Sequence, residues 1–182
     1  MSVRIITGSR RKQSLLTPES GPMRPTRTRI RESAFTLLSD QDFTWHEKLI
    51  VADICCGTGA YGLEALSRGA GFCYFIDSSP KWAEENVIKL KFDEQAKVMR
   101  ADARRLRLPD DKRPDVVFLD PPYGYDIELD VLKNAPKIGK AGSIWLIETA
   151  PENSAALKSN TGFTLIKQRD YGASTLTILK QN

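Results

Sequence analysis

Residues 116–123 read Val-Val-Phe-Leu-Asp-Pro-Pro-Tyr: four apolar residues run directly into a carboxylate, two rigid residues and an aromatic ring. A buried strand can end in an ordinary turn, and Asp-Pro-Pro-Tyr alone fits that reading. The same four residues also suit a planar amine. Pro121 and Pro122 fix φ and carry no backbone N–H, so they present carbonyl acceptors without a competing donor. The Asp120 carboxylate and one of those carbonyls can take both hydrogens of an exocyclic NH₂ group. Tyr123 offers a flat face on which a base can stack.

A second cluster lies upstream. Asp53-Ile-Cys-Cys-Gly-Thr-Gly-Ala-Tyr-Gly contains G-x-G-x-x-G at Gly57, Gly59 and Gly62. The pattern is weak alone; after a strand and before a helix it reads as a nucleotide loop. Asp77 follows 18 residues after Gly59, placed to accept from both hydroxyls of a ribose. NAD satisfies the same pair. Two further acids favour S-adenosylmethionine. Asp53, four residues before Gly57, can face an ammonium group or its ordered water, where a pyrophosphate would be repelled. Asp102 can accept from an adenine amine, with Ala103 leaving room for the ring; a cap on the following turn is the plainer reading of Asp102. With a sulfonium methyl nearby, Asp120 and its prolines would aim the amine's lone pair at that carbon and stabilise the nitrogen as it becomes cationic.

These residues need elements that bring them together. Strand-like runs at 49–55, 72–77, 97–102 and 115–120 alternate with helical stretches, and a fifth strand follows at 142–149. Pro80, after Ser78 and Ser79, is expected as the first residue of its helix. Near-continuous apolar strands alternating with helices indicate a parallel sheet covered on both faces. Residues 163–181 add an antiparallel hairpin around Gly172 at the edge. The acids at 53, 77, 102 and 120 then converge on the carboxyl-end rim, where such sheets bind ligands.

Charge is concentrated at one end. Residues 1–34 hold eight basic residues against two acidic ones, whereas the rest holds 19 basic and 21 acidic. The segment 4–17 reads as a hairpin, and residues 26–40 as a helix whose arginines lie mostly off its apolar stripe. A basic arm on a near-neutral body points to a polyanionic partner, nucleic acid first, with a solvated surface as the bland alternative. The residues expected to meet that partner are Arg4, Arg10, Arg11, Lys12, Arg24, Arg27, Arg29 and Arg31. Three cysteines and one histidine without ligand spacing argue against a metal site and suit a reducing, cytoplasmic setting. No apolar run reaches the ~18 residues of a membrane span. A monomer is the default expectation.

The chain resembles the bacterial small-subunit (16S) rRNA guanine-N2 methyltransferases, the RsmD-like family. The resemblance is carried by VRIITGSRRK, MRPTRTRIRESAF, DICCGTGAYGLEALSRGA, the acid of FID, and DPPY. It implies a Rossmann-like class I S-adenosylmethionine-dependent methyltransferase: an α/β, seven-stranded, mostly parallel sheet with an antiparallel edge hairpin and an N-terminal β-hairpin extension. Residues 1–25 would form the extension and 26–182 the methyltransferase domain. It implies cofactor binding at Asp53, Cys55, Cys56, Gly57, Gly59, Asp77, Asp102 and Ala103, with Cys56 lining the methionine pocket. It places Asp120, Pro121, Pro122 and Tyr123 at the target amine, the arginines on 16S rRNA within the small ribosomal subunit, and no metal. Tyr123 stands where several relatives carry phenylalanine.

The clamp alone also fits N6-adenine, N4-cytosine or a protein glutamine amide. A different class, an NAD-dependent oxidoreductase, would need a proton-relay residue beside the cofactor; His46 is expected at the surface instead. A non-catalytic RNA-binding protein is the remaining alternative.

Overall fold

The computed structural model describes residues 3–18, 25–39, 43–158 and 161–182; for 25–27 and 158 it describes the backbone alone. Helix α1 (Pro25–Ser39) precedes an alternating series: β1 (Ile50–Ile54), α2 (Ala60–Ser67), β2 (Phe72–Asp77), α3 (Lys81–Lys89), β3 (Ala96–Arg100) and β4 (Val116–Leu119). Then come α4 (Ile127–Lys133), β5 (Ile144–Thr149), α5 (Ser154–Lys158), β6 (Phe163–Asp170) and β7 (Thr175–Gln181). The sheet order is β3-β2-β1-β4-β5-β7-β6. Strands β1 to β5 pair in parallel, and β7 and β6 close the edge antiparallel. The expected α/β class and seven-stranded, mostly parallel sheet are what the chain forms.

Chain order reverses between β1 and β4. The chain steps outward from β1 to β3, then returns to lay β4 against the other side of β1. The loops leaving β1 and β4 therefore face each other across a crevice, the position where open parallel sheets take ligands. The first carries Gly57 and Gly59, the second Asp120 and its prolines.

Alternate strand residues feed two cores. Val51, Cys73, Phe75, Phe118 and Leu146 pack with Ile30, Phe35 and Leu63 on the α1/α2 face. Ala52, Ile54, Val117, Trp145 and Ile147 pack with Val131, Leu132 and Leu157 on the α4 face. Burial on both faces explains why these strands read as unbroken apolar runs. Helix α3 starts one residue later than the sequence suggests, with Pro80 at its N-cap position.

The N-terminal hairpin forms only in part. The expected strands shorten to a single antiparallel bridge, Arg4 with Ser14. Ile5 N donates to Gln13 O and Leu15 N to Val3 O, but Gln13 N turns to Arg10 O and Thr7 N to α2, so the ladder stops. Glu64 of α2, fully buried, accepts from Ile6 N at 2.7 Å and Thr7 N at 3.0 Å. Ser67 Oγ donates to Thr7 O and accepts from Arg10 N, at 2.6 and 3.0 Å. Asn86 of α3 holds both backbone groups of Leu16, at 2.6 and 2.9 Å. Ile5 and Leu15 enter the main core. The basic turn at 8–12 is thus bound to α2 and α3.

Candidate active site

A cleft of about 750 Å³ opens at the carboxyl-end rim. Its wall combines Cys55 after β1, Asp77 and Ser78 at the end of β2, and Asp102, Ala103 and Arg104 after β3. Pro122 from the loop after β4 closes another side. The size is that of a site for a nucleoside-sized ligand.

The glycine loop is fixed by two carboxylates. Asp77 Oδ2 accepts from Gly57 N at 2.9 Å and Oδ1 from Ser79 N at 2.8 Å. A carboxylate offers about four lone-pair directions, so Asp77 keeps capacity for a ligand hydroxyl. Cys55, Gly57 and Gly59 all have positive φ, of 60°, 52° and 78°. That left-handed sequence bends the chain sharply between β1 and α2.

Asp53 differs from its expected placement. It lies one residue inside β1, facing the α1/α2 core, and is only 1% exposed. Its Oδ2 accepts from Gly62 N at 2.8 Å. Gly59, the N-cap of α2, makes no side-chain cap, so Asp53 supplies an acceptor to an otherwise orphaned first-turn N–H. Asp53 braces the loop from below and does not reach the rim.

Burial, against the Gly62 hydrogen bond, raises the Asp53 carboxyl well above the usual range; Asp120 and Asp77 push the same way. The folded chain therefore holds this proton at pH values where the unfolded chain, near pKa ~3.9, has released it. The stabilisation is complete below that unfolded value and is lost as pH rises through the folded one. In Asp53→Asn this dependence is absent. The melting temperature of the variant minus that of the wild type should increase from pH 4 toward neutrality, as calorimetric melts at several pH values would measure.

Two other cofactor expectations change in detail. Cys56 is buried in the core, and Cys55 lines the cleft instead. The left-handed φ at Cys55 sets successive side chains of the pair in different directions. Burial first, then the charges of Asp77, Asp120, Asp53 and Asp102, push the Cys55 thiol up to about 12. It stays a protonated thiol at neutral pH, and one sulfur feels all four acids. Asp102 caps the short turn Ala103–Arg105 and receives the Arg104 guanidinium, at 3.0 and 2.8 Å. That hydrogen bond, above all, lowers the Asp102 carboxyl. The capping reading therefore describes Asp102 as it stands.

The loop after β4 begins where Asp120 N donates to Ile54 O at 3.4 Å, tying it to the end of β1. Pro121 is buried and Pro122 exposed toward the cleft. Tyr123 is 41% exposed, and its hydroxyl donates to Glu148 Oε1 at 3.1 Å. The sequence does not single out Glu148, near the end of β5, nor Tyr61, whose hydroxyl donates to Glu148 Oε2 at 3.3 Å. Its only signal is an acid ending an apolar strand.

The basic residues separate into classes. Arg4, Arg11, Lys12 and Arg29 are exposed. Arg10 is half-buried: its Nε donates to Leu90 O at 2.7 Å and its guanidinium lies over the Phe92 ring at 5.1 Å. Arg31 corrects the expectation outright. It is 4% exposed and donates to Arg4 O at 2.6 Å. It follows the buried Ile30 and precedes Phe35 by one helical turn, on the widened inner face of α1. Burial lowers its pKa, opposed chiefly by the Glu64 charge. Arg24 and the side chain of Arg27 lie outside the described residues.

A family model described as conserved hypothetical protein 95 matches residues 3–180. The chain belongs to this family. As a conserved hypothetical protein 95 member it is 35% identical over 127 residues to YlbH of Bacillus subtilis, a protein named as a candidate rRNA methyltransferase. That match covers 66% of this chain and 67% of the relative. It is 29% identical over 176 residues to ribosomal RNA small subunit methyltransferase D of Haemophilus influenzae, covering 93% and 89% of the two chains. The RsmD-like resemblance holds at the level of the family. Among solved structures, yhhF of Escherichia coli, described as a candidate methyltransferase, has a TM-score of 0.83 at 24% identity. It covers 100% of this chain and 99% of that one, so the two share the class I methyltransferase fold.

Proposed function

We propose that this protein methylates the exocyclic N2 amine of a guanine in 16S rRNA, with S-adenosylmethionine as donor. One observation carries the reading: a single cleft has the ribose-type acid Asp77 on one wall and Pro122 of the amine clamp on another. The names of the relatives support rRNA as the substrate class.

The residues present suit the cofactor. Asp77, which also accepts from the Ser78 hydroxyl at 3.4 Å, retains about one acceptor direction for a ribose hydroxyl. Ala103, small and lining the cleft, leaves space for the adenine, and Asp102 reaches the adenine amine once Arg104 releases it. When bound, S-adenosylmethionine supplies an electrophilic methyl group. Asp120 and a proline carbonyl hold the two amine hydrogens and turn the nitrogen lone pair toward that carbon. As the nitrogen becomes cationic, the Asp120 charge stabilises it. Tyr123 stacks on the base, which must leave its own stack to enter.

The exposed side chains of Arg11 and Lys12, together with Arg4 and Arg29, meet RNA phosphates. Replacing Arg11 and Lys12 with alanine should weaken RNA binding and reduce the slope of log K against log salt by about 1.5, at ~0.7–0.9 for each phosphate left without its cation. Filter binding at four salt concentrations measures it; an unchanged slope removes these residues from the interface. A cytoplasmic monomer acting on the assembling small subunit is part of the same reading.

The deciding experiment is transfer of a labelled methyl group to small subunits from cells lacking the enzyme, followed by nucleoside analysis. Label in N2-methylguanosine is the expected result. Label in N6-methyladenosine or N4-methylcytosine, or none in RNA, overturns the substrate.

A further inference from the structure

The residue least expected at this site is Glu148. It is 4% exposed, yet each of its two carboxylate oxygens receives a tyrosine hydroxyl: Oε1 from Tyr123 at 3.1 Å and Oε2 from Tyr61 at 3.3 Å. The two tyrosines are unequal. Tyr61 is buried, stacked on Phe118 at 5.0 Å and 23° and on Phe35 at 6.3 Å and 25°. Tyr123 is the exposed ring of the clamp.

The glutamate thus joins a ring locked in the core to a ring on a loop. That loop needs such a tether. It carries Gly124 at φ 88° and Asp126 at φ 48°, and residues 122–126 are all exposed. A stacking platform is useful only when its plane is fixed, since misplacement by about 1 Å can cost ~10²-fold in rate. An unanchored tyrosine can change χ1 well and turn about its broad χ2, so neither its position nor its plane is set.

We propose that Glu148 is a positioning residue, holding the Tyr123 ring in the plane that receives the target base while Tyr61 fixes the glutamate. The assignment rests on the reading of Tyr123 as the stacking ring. It adds that a tyrosine, and not merely an aromatic residue, is required in this chain. Glu148 touches neither base nor methyl donor; it acts through the phenol.

Three variants and one pairing test it. Glu148→Ala should lower kcat about 10-fold while the dissociation constant for S-adenosylmethionine changes less than about twofold. Glu148→Gln should restore most of the rate, because an amide accepts from one phenol and donates to the other. Tyr123→Phe should lose about as much rate as Glu148→Ala, and adding Glu148→Ala to it should cost less than about twofold more. Full kcat in Tyr123→Phe, equal losses in both backgrounds, or a parallel loss of cofactor affinity would each overturn the assignment. The Tyr123→Phe arm decides even where Glu148→Ala does not fold.

A substrate-free measurement separates this proposal from the function above. In protein carrying carbon-13-labelled tyrosine, the Tyr123 ring signal is identified by its loss in Tyr123→Phe. It should stand apart from that of an exposed tyrosine in the wild type and in Glu148→Gln. In Glu148→Ala it should shift toward the exposed value. A wild-type signal already at the exposed value refutes the tether, whatever RNA the protein methylates.

Discussion

Asp120→Ala should slow methyl transfer by about 10²–10³-fold, the usual cost of removing one preorganised electrostatic group. Binding of S-adenosylmethionine should stay within a few-fold, because Asp77, Asp102 and the glycine loop are untouched. The separation follows from topology. The walls proposed for the cofactor come from the ends of β1, β2 and β3, whereas Asp120 leaves β4 across the crevice. On the proposed reading the aspartate supplies direction and charge, two contributions that a second variant divides. Asp120→Asn keeps an acceptor oxygen and removes the anion, so it should fall between wild type and alanine. Single-turnover rates with saturating cofactor, beside calorimetric cofactor binding, measure both quantities. Near-wild-type turnover in Asp120→Ala would refute the clamp.

The second large effect concerns stability. A Cβ placed on Gly62 would lie 2.4 Å from Phe75 Cε1 and 2.6 Å from Cys73 Sγ. Both neighbours are fully buried, so neither can swing away. Gly62 also donates to Asp53, which ties α2 to β1. Gly62→Ala must push the helix off the sheet or break that bond. Overpacking of this kind costs roughly 3 kcal/mol, the upper part of the usual range. Urea denaturation should show it as a lower midpoint with an unchanged slope. Cys73→Ala in the same chain removes one of the two obstructions and should recover part of the loss. A midpoint within error of wild type would mean that α2 and β2 do not approach so closely.

Gly62 illustrates what can be read from the sequence alone. The sequence marks Gly62 only as part of a nucleotide loop, and its contact with Phe75 and Cys73 emerges from the fold, whereas apolar strands punctuated by acids announce the sheet and its rim. Local signals of that kind place Asp77 and Asp120 at strand ends and a turn at Gly172, where the structure has them. They misjudge residues whose surroundings are set by distant chain. Arg31 reads as solvent-facing because it lies off the apolar stripe of Ile30, Ala34, Leu37 and Leu38; the hairpin 27 residues earlier covers it. The hairpin reads as two strands because nothing near it reveals that Glu64 takes its donors. Glu148 and Tyr61 are 87 residues apart, and only the folded sheet brings them together. Asp53 shows the right chemistry but the wrong face, since alternation along a strand with both faces buried does not say which core an acid enters.

Helix α2 meets the cofactor loop at one end and, through Glu64 and Ser67, the arginine-bearing turn farther along. At 1.5 Å per residue these two contacts lie about 6 Å and about 10 Å along the helix from its first residue, Ala60. Insertion of one amino acid into it would rotate everything beyond by roughly 100°. The spacing of Glu64 and Ser67 along this rod therefore fixes both the distance and the azimuth at which the basic turn stands from the glycine loop.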